Sequence, residues 1–197
     1  MFANGAVTAA FARIFGEAAS ASDDMTLGSG DGAAGVAGAI DTSIAASGFP
    51  SRNDAARAFG EVYGPMSVDG TPQEFAAGII RMGPDNFGYT AALEGAVRGR
   101  TLAVGALHRA LGKAYGRSYV AMAHTHWDSN QSFSSYDLHF AQVMPLYLRN
   151  TSGQTRLLDR SIINRTLQSS NIRGANRIQT YLQTHSTIPG VCTHGCD

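Results

Sequence analysis

The sequence predicts an α+β fold of mixed α/β character. Three observations carry that expectation. Helical and extended hydrophobic spacings are interspersed along the chain. Two turn signals, Met82-Gly-Pro-Asp-Asn86 and Asn150-Thr-Ser-Gly-Gln154, each separate two short apolar runs. Hydrophobic residues make up 44% of the 197, which allows a real core and argues against disorder.

Taken in order, residues 1–47 are rich in Gly, Ala and Ser, and Leu27 to Gly38 reads as a flexible connector. Phe11, Ile14 and Phe15 form an apolar stripe on a short helix before it. Ser51 is an N-cap for a short helix reaching Phe59. Glu61 to Met66 then reads as extended. Glu74 to Arg81 and Phe87 to Leu93 read as the two strands of a hairpin. Leu102 to Tyr115 has helical spacing, with Leu107 and Leu111 four apart, and Gly116 is a stop. Ser118 to Ala123 is a buried strand. Ser134 opens a helix to about Met144. Leu146–Arg149 and Thr155–Leu158 form a second hairpin, and Asn176 to His185 a last helix. The expected organisation is a flexible segment (1–47), a core domain (48–160) and a C-terminal extension (161–197).

Formal net charge is zero, so no overall field draws the chain to nucleic acid or to a membrane. Between Arg149 and Arg177 there are six arginines and one acid, Asp159, which read as solvated surface. No apolar run is as long as a membrane span. The start lacks Lys and Arg before Arg13, which interrupts its apolar part. It reads as an amphipathic segment and not as a cleaved signal, so the chain is expected to be made in the cytoplasm. Cys192 and Cys196, in CTHGCD, are too few for a disulfide framework. One local bridge, or a weak metal site with His194, is open to them; a frayed tail is the expectation.

The chemistry concentrates in AHTHWDSNQSFSSYD, residues 123–137. Two histidines one residue apart on a strand point to the same face. His124 and His126 are therefore two imidazoles on one rigid element, and zinc takes three or four N, O or S ligands. Asp137, in the first turn of the next helix, can fold back as a third. Ser134-x-x-Asp137 is also a capping box, and a helix start can present a metal ligand. His139 lies two residues past Asp137 on the same helix and so on another face. His108 reads as a structural helix residue, and His185 and His194 as tail residues.

His124-Thr-His126-x7-Ser134-x-x-Asp137 resembles the JAMM motif of JAB/MPN zinc metallopeptidases, H-x-H-x7-S-x-x-D, at every functional position. That resemblance implies a JAB/MPN-like sheet flanked by helices over roughly residues 50–160. It implies Zn2+ held by His124, His126 and Asp137, with the pKa of its water lowered toward about 7. The family also uses an upstream glutamate in E-x-x-G. The chain has four glutamates, and Glu61-Val-Tyr-Gly64 fits, whereas Glu74 and Glu94 read as surface charges. Glu61 would then be the general base and acid, and Ser134 would stabilise the oxyanion or the water. Trp127 stands where the family usually has proline or a small residue, and is a candidate substrate contact.

The opening FANGAVTAAFARIF is similar to the segment before the variable toxin domain of Rhs-repeat shell proteins. Together the two resemblances imply a zinc-dependent peptidase or isopeptidase carried as the toxin end of a secreted Rhs-type effector. A protein or peptide substrate, a cognate immunity protein and the Rhs shell would be its partners. Two alternatives stay open. One is a metal-dependent nuclease that tracks phosphates with the Arg149 to Arg177 region, although neutral charge makes nucleic acid an unexpected partner. The other is a JAB-like binding module without catalysis.

Overall fold

The computed structural model describes residues 40–69, 72–95, 104–128, 132–169 and 189–196. Among these the elements are β1 (Ile44–Phe49), α1 (Arg52–Val68), β2 (Phe75–Gly83), β3 (Asn86–Thr90), β4 (Leu93–Glu94), α2 (Val104–Tyr115), β5 (Tyr119–Thr125), α3 (Ser135–Ala141), β6 (Leu146–Arg149), β7 (Thr155–Leu158), α4 (Arg160–Ser169) and β8 (Val191–His194). The class is mixed α/β, as the interspersed spacings predict. One eight-stranded sheet runs β1-β3-β2-β5-β6-β7-β8, with β4 against the start of β2. All its pairings are antiparallel except β5 with β6.

Strand alternation divides the core between the two faces of this sheet. Ala121 and Ala123 of β5 cluster with Ala55, Ala56 and Phe59 of α1. Met122 clusters instead with Leu107 and Leu111 of α2, Leu138 of α3 and Ile163 of α4. So α1 covers one face, and α2, α3 and α4 cover the other. Gly78 of β2 is a glycine for a packing reason: a Cβ there would stand 2.6 Å from Leu111 Cδ1.

Ser51 caps α1 as expected, accepting from Asp54 N at 3.2 Å. The stretch 61–66, expected to be extended, is instead helical: α1 runs on to Val68 through Pro65. Proline removes one backbone hydrogen bond there. Tertiary packing outweighs that loss. Tyr63 stacks on Phe59 at 5.0 Å and on Phe75 at 5.3 Å. Buried Ser67 bonds Thr125 of β5.

Both ends of the described fold also differ from expectation. The strand β1 runs straight through the boundary expected at 47/48. The terminal CTHGC is not frayed: Cys192 and Cys196 are disulfide-bonded, and β8 pairs with β7. The stripe at Phe11, Ile14 and Phe15 and the helix expected at 176–185 lie outside the described residues. No helix among the described residues is long and apolar enough to cross a membrane.

Candidate metal centre

The single parallel pair creates the site. Joining β5 to β6 in parallel requires a crossover, and α3 lies in it. The carboxyl end of β5 and the amino end of α3 therefore meet. His124 is the penultimate residue of β5, and His126 follows it, tied by its N–H to Arg149 O at 3.0 Å. Asp137 is in the first turn of α3.

These three side chains converge. His124 Nε2 lies 3.3 Å from His126 Nε2 and 3.5 Å from Asp137 Oδ1, and His126 Nε2 lies 3.9 Å from Asp137 Oδ2. Metal–ligand bonds of about 2.0–2.1 Å in a tetrahedron give ligand–ligand edges of about 3.3–3.4 Å. With one ligand atom from each residue, the three lie within 4.8 Å of one another, so the group could hold a metal ion after the side chains draw in. All three are shielded, with side-chain exposures of 6%, 7% and 17%.

The supporting contacts orient the ligands. His124 Nδ1 donates to Tyr147 O at 2.9 Å. A carbonyl can only accept, so the proton sits on Nδ1 and the Nε2 lone pair faces the site. Ser134 caps α3 and fixes the carboxylate: its N–H and its Oγ–H donate to Asp137 Oδ2 at 2.7 and 2.8 Å. Capping the helix and aiming the carboxylate at the histidines are thus one arrangement. Burial would push the Asp137 carboxyl up. The charges of His124 and His126 and the hydrogen bonds from His124 and Ser134 outweigh it and hold it at about 2. Burial would lower His124, but the neighbouring Asp137 carboxylate raises it, with a smaller push from Glu74. Without metal the site is a buried ion pair, and a cation would take the place of the proton.

The structure does not bring Glu61 to this group. It lies on α1, across the sheet from His124, half-exposed at 49% and 3.8 Å from both Arg57 and His194. Its E-x-x-G partner has another task. A Cβ on Gly64 or Gly60 would meet the Arg149 side chain at 3.0 or 2.9 Å, so the glycines form a notch for that arginine. Glu74, expected on the surface, is the glutamate whose charge acts on His124. Ala76 pairs with His124 in the antiparallel β2–β5 ladder. Glu74 immediately precedes β2, two residues before Ala76, and His126 lies two residues past His124. Glu74 is partly buried, and its carbonyl is anchored by Gly95 N at 2.7 Å.

Trp127 is partly buried, and its indole Nε1–H has no acceptor among the described residues. His108 is structural: Nδ1 faces Tyr119 OH at 3.4 Å, and its ring meets Phe140 edge-on. His139 stays outside the ligand group. His185 lies outside the described residues. Compared with protein-family models, with curated proteins and with solved structures, the chain matches none.

Proposed function

We propose that this chain is a zinc-dependent amidohydrolase of JAMM type, cleaving a peptide or isopeptide bond. The observation that carries the reading is the convergence of His124, His126 and Asp137 behind two oriented contacts, the Tyr147 carbonyl and the Ser134 cap. The histidines and a carboxylate suit Zn2+, whose chemistry would be to polarise the substrate carbonyl and acidify a water toward neutrality. Three protein ligands leave a fourth position open, as catalytic sites do.

The remaining work belongs to side chains. His124, His126 and Asp137 hold the ion. Glu74, in place of Glu61, takes the proton from the attacking water and delivers it to the leaving amine nitrogen. Ser134 keeps the Asp137 carboxylate in place; to steady the oxyanion as well, its single hydroxyl proton would have to leave Asp137 Oδ2. The toxin role rests on the likeness of the opening segment to the Rhs junction. The substrate would then be a protein or peptide of a target cell, with an immunity protein to block the site.

Elemental analysis tests the centre first: about one zinc per chain is expected, lost in His124→Ala/His126→Ala. Amide hydrolysis then tests the base. Glu74→Gln is expected to keep the zinc and lose about two to four orders of magnitude in rate, whereas Glu61→Gln keeps its activity. The opposite ranking of the two glutamates would return the role to Glu61.

A further inference from the structure

We propose that the Cys192–Cys196 disulfide is a redox control on the metal centre, exerted through Phe133; the inference rests on reading His124, His126 and Asp137 as ligands. The path is short. Gly190, one residue before β8, lies directly against Phe133: a Cβ on it would be 2.5 Å from Phe133 Cε2. Gly190 has φ +67°, a backbone conformation that glycine adopts without strain. Phe133 is fully buried, and its ring lies 6.2 Å from that of His124. In sequence it immediately precedes Ser134, which fixes Asp137. The start of the last strand is thus the backing of the side chain that walls the ligands.

Among the described residues, few contacts outside the sheet ladder hold that strand. Among the described residues it is an edge strand, four residues long. Outside the ladder, Thr193 Oγ1 donates to Thr155 O at 3.0 Å, Arg156 Nη1 to Pro189 O at 3.1 Å, and His194 faces Glu61 at 3.8 Å. The disulfide closes the loop across the turn at Gly195, which has φ +68°. Short edge elements open locally at small cost, and a cross-link removes many of the open conformations. A cellular thiol supplies the switch. Two R–SH give two electrons and two protons to the sulfur pair; the S–S bond breaks, two cysteine thiols form, and R–S–S–R leaves. With the clasp open, β8 opens more often from its carboxyl end, Gly190 backs Phe133 for a smaller share of the time, and the ligand triangle loosens. The chain thus holds its metal tightly in an oxidising compartment and releases it more readily in a reducing one.

The test uses the full chain. The zinc dissociation constant is measured against a chromogenic chelator for the oxidised wild type, Cys192→Ser/Cys196→Ser and Gly190→Ala. Both variants are expected to bind about 10- to 100-fold more weakly, the range seen when support behind metal ligands is removed. Cobalt(II) absorption reports the ligand geometry and is expected to change in the cysteine variant, which leaves the sheet core intact. Imidazole 15N resonances of His124 are also read in the metal-free chain, oxidised and reduced. A change there on reduction supports the coupling even if the wild type binds no zinc, in which case only the metalloenzyme reading falls. Equal affinities and cobalt spectra, or His124 resonances indifferent to reduction, would overturn the coupling.

Discussion

Replacing Ser134 by alanine separates a helix cap from a metal-site support. Ser134 Oγ accepts from Asp137 N at 3.4 Å and donates to Asp137 Oδ2 at 2.8 Å. Losing a serine N-cap costs about 1 kcal/mol. For a domain of this size that is a fall of about 2–4 °C in Tm. This first part is independent of metal. The second part is not. The Asp137 carboxylate would keep the backbone N–H of residue 134, at 2.7 Å, but lose the hydroxyl. Loss of such a contact typically weakens metal binding about 10- to 100-fold, or about 1.4–2.7 kcal/mol. Because a ligand that binds only the native state stabilises it by mass action, the deficit must grow with zinc. Thermal melts in chelator are expected to show the small gap. Melts in zinc well above both dissociation constants are expected to widen it by about 3–10 °C. A gap that stays the same with and without zinc would refute the reasoning, leaving Ser134 as a cap alone.

Two further outcomes follow from the described geometry. In the metal-free chain, Asp137 has a lowered pKa of about 2, so its contribution is present above its unfolded value of about 3.9 and is lost as pH falls through 2. His124 is raised, so its contribution is full below about 6.5 and lost as pH rises through its folded value. Urea melts of the chelated protein are therefore expected to find this pair contributing most between about pH 4 and 6.5; a monotonic rise of its contribution from pH 5 to 9, measured against Asp137→Asn, would contradict the pairing. Gly78→Ala would place a Cβ 2.6 Å from Leu111 Cδ1 and is expected to cost about 1–3 kcal/mol by overpacking, read as a lower urea midpoint.

The convergence of His124, His126 and Asp137 was legible in the sequence because the rules that place these residues are local. Strand alternation puts His124 and His126 on one face, and a capping box puts Asp137 at a helix start. The placement of Glu74 relative to the histidines was not legible. Glu61-x-x-Gly64 has the right letters, but its glycine is there for the Arg149 side chain. Glu74 reaches the site through the pairing of Ala76 with His124, a register between residues far apart in sequence. The helical continuation through Pro65 was hidden for the same reason: Tyr63 and Ser67 hold it by contacts with Phe75 and Thr125. The terminal bridge is local, yet spacing left it and a thiol metal site both open behind the expectation of a frayed tail. Its strand became visible only with β7 beside it.

The parallel pairing of β5 and β6 sets an order of assembly. His124 and His126 are neighbours even in an unfolded chain, but the Tyr147 carbonyl that selects the His124 tautomer arrives only when β6 docks on β5. Parallel, non-local pairing is a late event in folding. A metal ion would therefore find its complete set of partners near the end of the process. It would act as a lock and not as a nucleus, slowing escape from the native state while leaving the rate of reaching it nearly unchanged.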